Sequence, residues 1–242
     1  MVEKLAQIGE NLKKICEKYQ ETKNINLYIP HYRDKNDNRN KENELCIQLN
    51  ISNKLFNKIY LLSECDQDLN FIEKSERITI IKSPRSKFID IFTYSNTQTN
   101  NDTINILINT DIVIGESFDN IQLDSKQMIC LSRYDVMSDC SYKVNVGGGS
   151  HDCWIWSGKI VETVGNFYMG KMLCDGVLAN QLASAGYTLK NPMLDMKVYH
   201  VHLTNVRNYN WVNAIRGRRS GINFSKNDGQ FDGKDLYCDG CN

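Results

Sequence analysis

An excess of either charge is the first thing this sequence lacks. Lys and Arg total 29, Asp and Glu total 29, and the formal net charge is zero over 242 residues. Proteins that hold nucleic acid by bulk electrostatics carry a clear basic excess, so that class is disfavoured. No apolar run approaches the roughly 18 residues that a membrane span needs. The opening MVEKLAQIGENLKK has no signal-peptide core, so the chain is expected to stay in a reducing cytoplasm. The nine cysteines are odd in number. Without an export signal that argues against a disulfide framework and for free thiols, most of them acting as small hydrophobes. Gly147, Gly148 and Gly149 lack the spacing and the Lys-Ser/Thr of a phosphate loop. Cys238 and Cys241 form a single knuckle, whereas a zinc ribbon needs two, and an unstructured tail explains them better. Proline is scarce, at three residues, and no internal repeat is visible.

What is present suits an ordinary α/β domain. Hydrophobic residues make up 41% and charged residues 24%, enough for a normal core. Leu5, Ile8, Leu12, Ile15 and Tyr19 recur at helical spacing over residues 2–19. That amphipathic helix either caps the domain or pairs with a second copy. Short β-prone runs follow at 25–29, stopping at Pro30, and at 58–62, 77–81 and 104–109, the second and third read as buried. Helical segments separate them, one ending near Asn50 and one starting near Ser83 with Pro84 in its first turn. The alternation predicts βαβ units, a central mixed and mostly parallel sheet, and helices on both faces. Further strands are read at 127–133, 153–156 and 197–203, and a helix from Asp175 to Ala185. The chain divides into an N-terminal helix (1–22), a main domain (23–215) and a polar, Gly-rich tail (216–242) expected to pack poorly.

Four constellations carry possible chemistry. Asn109-Thr110-Asp111 directly follows the strand INILI, and ligands of open α/β sheets bind beyond the carboxyl ends of strands. A carboxylate there holds a hard divalent ion, although a plain turn uses the same residues. His200 and His202 are two of only four histidines, and at i and i+2 of a strand both rings face one side. They read as a metal ligand and phosphate donor, or as satisfied polar groups on a half-buried face. Asp152 precedes Cys153-Trp154-Ile155-Trp156; a carboxylate against aromatic walls is raised in proton affinity and serves as a general base, or else caps a turn. Asp175 offers the same choice at a helix start. Arg216, Arg218 and Arg219 suit phosphate or an anionic surface, or a solvated tail.

The order of the segments is more specific than any one of them. NLYIPHYRD, KIYLLSE, SPRSKFIDIFTY, ILINTDIVI, ICLSRYDV, SHDCWIW, FYMGKMLCDGVLANQLASAGYTLKNP and VYHVHLTNVRNY follow one another. The chain resembles small type A (GT-A fold, Rossmann-like) nucleotide-sugar glycosyltransferases, as found in large DNA viruses of algae and their stand-alone bacterial relatives. The resemblance covers about residues 25–210 and is most specific in the Asn-x-Asp after a strand and from Asp175 to Tyr209.

The resemblance implies hexosyl or deoxyhexosyl transfer from a UDP- or GDP-sugar to a glycan or other hydroxyl acceptor, with Mn2+ or Mg2+. In a viral setting this would occur in the host cytoplasm. Asp111 takes the last carboxylate position of the family's Asp-x-Asp motif and Asn109 the first; an amide is a poorer metal ligand. Metal ligands would be Asp111, His200 and His202. Donor contacts would be Pro30, His31, Tyr32, Arg39, Glu64, Arg85, Asn109, Thr110 and Asp111. Trp154 and Asp175 would meet the acceptor, and Asp152 would be the catalytic base, with inversion the expected outcome of an in-line attack. Nucleic acid and transmembrane segments are not expected, and the N-terminal helix would allow a homodimer. The alternative is a catalytically inactive nucleotide-sugar- or glycan-binding domain of the same fold, which Asn109 favours.

Overall fold

A computed structural model describes residues 1–20, 24–64, 69–145, 149–204, 206 and 211–223, and the backbone of 236–238. In chain order the elements are α1 (Val2–Cys16), β1 (Ile25–His31), α2 (Asp37–Ser52), β2 (Lys58–Ser63), β3 (Ile78–Lys82), α3 (Phe88–Gln98), β4 (Ile104–Ile108) and β5 (Ile112–Ile114). Then come β6 (Gln127–Leu131), β7 (Tyr134–Val136), β8 (Tyr142–Val144), β9 (Cys153–Ser157), α4 (Cys174–Ser184), β10 (Thr188–Lys190), β11 (Val198–His200), β12 (Ser220–Ile222) and β13 (Leu236–Cys238).

Seven strands form one sheet in the order β10-β6-β9-β4-β1-β2-β3. Every neighbouring pair is parallel except those made by β9, which runs antiparallel between β4 and β6. The expected mixed, mostly parallel sheet with helices on both faces is therefore present. Alternation along the strands divides the core. Leu27, Ile29, Ile106, Ile108 and Ile155 pack with Ile47 of α2. Tyr28, Leu107, Trp154 and Trp156 point the other way, onto Phe88 and Phe92 of α3 and Leu178 and Leu182 of α4. α1 lays Leu5, Ile8 and Leu12 against Cys46 and Leu49 of α2 and against Val113 and Tyr199.

A second, four-stranded sheet, β5-β11-β7-β8, stands beyond the carboxyl ends of β4 and β6. β11 pairs antiparallel with β5 and parallel with β7, placing His200 opposite Asp135.

Several sequence expectations need correction. β1 continues through Pro30 to His31. Its pairing with β4 ends at Tyr28, so the donor that Pro30 lacks falls beyond that ladder. The 77–81 run is an edge strand, with Thr79 and Ile80 exposed, and not a buried one. The helix expected near Ser83 begins at Phe88: Phe88 and Ile89 donate to the Phe167 and Gly165 carbonyls, and Asp90 accepts from the Lys87 N–H at 2.9 Å. The residues before it instead form a loop at the carboxyl end of β3. The tail is not uniformly loose. Ser220–Ile222 is buried and pairs with Leu236–Cys238, and Ile222 joins the core beside α4. Gly147, Gly148 and Cys241 lie outside the described residues.

Candidate active site

The turn after β4 is set by the chain itself. The Ile112 N–H donates to the Asn109 carbonyl at 3.2 Å, and the Thr110 hydroxyl donates to the Pro30 carbonyl at the end of β1. The Asp111 carbonyl accepts from the Val201 N–H at 3.0 Å, which ties the turn to the end of β11. α2 supplies the next piece. Asn36 caps it by accepting from the Asn38 and Arg39 N–H groups, which fixes its first turn and with it Arg39. One Arg39 nitrogen meets Asp111; the other donates at 2.9 Å both to Glu42 and to the Val201 carbonyl. Glu42 is fully buried and also accepts from the Thr204 N–H and hydroxyl.

From Asp111 the polar contacts continue without a break. His200 Nε2 meets Asp111 Oδ2 at 3.0 Å and its Nδ1 meets Asp135 Oδ1 at 2.8 Å. Arg133 Nε donates to the same Asp135 oxygen at 2.9 Å, and its Nη1 donates to Asp152 Oδ2 at 2.7 Å. Asn109 Nδ2 closes the chain on Asp152 Oδ1 at 2.8 Å. Carboxylates only accept, so a His200 held on both nitrogens is an imidazolium. Burial opposes that charge, but Asp111 and Asp135 outweigh it and raise the His200 pKa. Burial likewise would raise Asp111, yet His200 and Arg39 hold its carboxyl well below the usual range. Asp135 is lowered in the same way by His200 and Arg133, against burial.

Apart from Glu42 and Asp135, which brace from behind, these side chains wall a cavity of about 220 Å³ beyond the carboxyl ends of β1, β4 and β6. Pro30, His31, Tyr32, Arg39, Glu64, Arg85, Asn109, Thr110, Asp111, Asp152, His200 and His202 all line it. One oxygen or nitrogen from each of Asp111, His200 and His202 lies within 4.8 Å of the others. Although β11 stops at His200, the two rings remain neighbours, with centroids 5.3 Å apart. Arg85 donates to the Met169 carbonyl at 3.0 Å on the facing rim. His31 is braced against Ser63 at 3.1 Å, and burial together with Arg33 lowers its pKa to about 4.

Two expected acceptor contacts do not reach the cavity. Trp154 is 1% exposed, because β9 is an interior strand and its ring packs edge-on to Phe88 and His151. It is a core residue and not a wall for a sugar. Asp175 sits in the first turn of α4, behind Asp152, and does not line the cavity. Burial first, and then the charge of Asp152, push its carboxyl up to about 7. Arg133 and Lys171, which line the cavity, and Asp135, which holds His200, are residues of the candidate site that the sequence reading missed. Arg133 and Asp135 carried a signal: they form a polar pair with one residue between them just after the apolar strand QMICL, as Asn109 and Asp111 do after INILI, although one residue further on.

No family model matches the sequence, and no curated protein matches it. Among solved structures, the chain is similar to GalNAc-T7 crystallised with UDP, GalNAc and Mn2+, with a TM-score of 0.48 and 7% identity over 74% of this chain. It spans 44% of that protein's chain. No helix among the described residues is long and apolar enough to cross a membrane.

Proposed function

We propose that this chain is a metal-dependent glycosyltransferase of the GT-A type, moving a sugar from a nucleotide-diphosphate donor to a hydroxyl of a glycan or other acceptor. The observation that carries the reading is one cavity that joins the Asp111, His200 and His202 donor set to the cations Arg39, Arg85, Arg133 and Lys171. A nucleotide-diphosphate sugar is the ligand this combination suits: its diphosphate is anionic, and the nucleoside diphosphate leaves the anomeric carbon readily once its charge is neutralised.

The donor set fits a divalent ion that takes the place of the His200 Nε2 proton, since the imidazolium has no lone pair to give and metal binding releases that proton. His202 Nε2 donates to the Val206 carbonyl at 2.9 Å, which leaves Nδ1 with its lone pair for a metal. One carboxylate and two imidazoles suit Mn2+ better than Mg2+, which prefers an all-oxygen shell. Such an ion supplies charge neutralisation at the diphosphate. The protein's own side chains do the rest. Asp135 holds His200 by its far nitrogen and fixes the ring. Arg85 and Lys171 face the anionic ligand from the rim, and Pro30 to Tyr32 with Glu64 form the wall for the nucleoside.

Asp152 is the carboxylate placed to take the acceptor proton, because it is the one that lines the cavity beside Asn109. Geometry ranks before proton affinity in choosing a base. In-line attack assisted from that side inverts the anomeric configuration. A second reading rests on one observation: Asp175, pushed up to about 7, has a proton affinity suited to a base near neutral pH and would act if α4 shifted towards the acceptor. The test is a panel of nucleotide sugars with and without Mn2+, scored for transfer, donor hydrolysis and thermal shift. Metal-dependent stabilisation with turnover is expected. Stabilisation without any turnover would assign an inactive binding domain, and neither would end the reading.

A further inference from the structure

The described surface holds one apolar and cationic feature that the transfer reading does not use. Trp211 is 71% exposed and Val212 85%, whereas Trp154 and Trp156 are each 1% exposed. The two form the start of a one-turn 3-10 helix, Trp211–Asn213, and Arg216 and Arg218 follow on the same exposed segment. Neither arginine pairs with a carboxylate among the described residues. The charge is local and one-signed: between Asp195 and Asp228 there is no Asp or Glu, while Lys197, Arg207, Arg216, Arg218, Arg219 and Lys226 all fall in that interval. Six of the chain's 29 Lys and Arg residues thus fall in a stretch without a carboxylate.

The position is as informative as the composition. Asn213 lines the cavity, and the Ile215 N–H donates at 2.9 Å to the carbonyl of Met172, another lining residue. The segment is thus fastened to the cavity rim, with its apolar side chains turned outward.

We propose that residues 211–218 dock this protein on an anionic membrane surface, with the cavity mouth held at that surface. Tryptophan is enriched where lipid meets water, since its ring is apolar and its N–H is polar. Val212 beside it adds apolar area that a solvated turn has no use for. Arginines next to such a pair bind anionic headgroups, and neither contribution alone anchors a protein firmly. A carbohydrate platform would also use Trp211, but it would surround the ring with hydrogen-bonding side chains and not with Val212 and guanidinium groups that meet no carboxylate among the described residues. The binding stands apart from the transfer reading; only its consequence, that the acceptor is lipid-linked or membrane-borne, rests on it.

The test is flotation of the full chain with phosphatidylcholine vesicles, with and without about one third phosphatidylserine. Binding to the anionic vesicles only, falling with added salt, is expected. R216Q/R218Q should weaken it roughly 10- to 30-fold, and W211S/V212S should abolish stable flotation. Because the other tryptophans are buried, a blue shift of emission on adding anionic vesicles reports Trp211 alone. Thermal melts and Mn2+-dependent donor binding should be unchanged in both variants, which separates lost docking from lost folding or a failed transfer reading. Absence of flotation, or flotation equal in wild type and both variants, overturns the proposal. So does an emission shift produced by soluble oligosaccharides or by inorganic phosphate while anionic vesicles produce none.

Discussion

Asn109 donates its side-chain amide to Asp152 Oδ1 at 2.8 Å, while Arg133 holds the other oxygen at 2.7 Å. The amide at the first position of the Asn-x-Asp motif therefore has a partner that a carboxylate could not serve. It aligns Asp152, and in the proposed function the ion would fall to Asp111 and the histidines. Asn109→Asp should place two carboxylates in contact and raise the proton affinity of one of them. Transfer activity should drop at neutral pH, with Mn2+ affinity nearly unchanged. A variant as active as wild type would show that the amide has no aligning role.

Asp111→Asn keeps the shape of the proposed metal site and removes its carboxylate. Donor at 100 times its dissociation constant should stabilise wild type by about 2.7 kcal/mol in Mn2+. The variant should show little of that gain in a thermal melt. Equal stabilisation would place the ion elsewhere.

The two candidate bases separate by substitution. Asp152→Asn should bind donor almost normally and lose transfer by about 10²–10⁴-fold. Asp175→Asn should leave transfer within a few-fold of wild type. The reverse pattern in initial rates would move the base to Asp175.

Asp175 also makes a prediction about stability. Its folded pKa of about 7 lies above the ordinary carboxylate value because of burial and Asp152. A raised folded pKa is stability fully present in acid and lost as pH rises through about 7. Asp175→Asn should therefore match wild type near pH 4 and become more stable than wild type towards pH 8. The gap is at most about 4 kcal/mol at 1.36 per pK unit. Parallel denaturation curves across that range would show an unperturbed carboxyl.

Trp154→Ala should unfold the protein more easily, by about 3–5 kcal/mol, because it empties a filled core position. A selective rise in acceptor KM with normal stability would restore Trp154 to the acceptor site.

Strand periodicity and segment order were enough to read the sheet, and the ends of β1, β4 and β9 led to the cavity. What the sequence hid has physical causes. CWIW is equally apolar in a cavity wall and in an interior strand, and only the antiparallel insertion of β9 between β4 and β6 decides that Trp154 is core. Arg133 acts through its contact with Asp152, 19 positions away, and Asp135 through its contact with His200, 65 positions away. No local pattern announces such partners. The start of α3 was misplaced because Pro84 suits a helix entry as well as a loop, and hydrogen bonds from residues 88 and 89 to a segment near 165 made the choice.

The small sheet makes the site intolerant of small insertions near His200. β11 is three residues long, and Tyr199 and His200 point to opposite faces, one into the α1 contact and the other towards Asp111. A single added residue between Lys197 and Tyr199 that kept the strand paired would exchange the two faces. The phenol would arrive where the imidazole was, and the α1 contact would receive a polar ring. Length changes in the neighbouring loops, by contrast, leave this alternation in phase. Variation compatible with the site is thus expected to accumulate in the loops, while the spacing from Lys197 to His202 stays fixed.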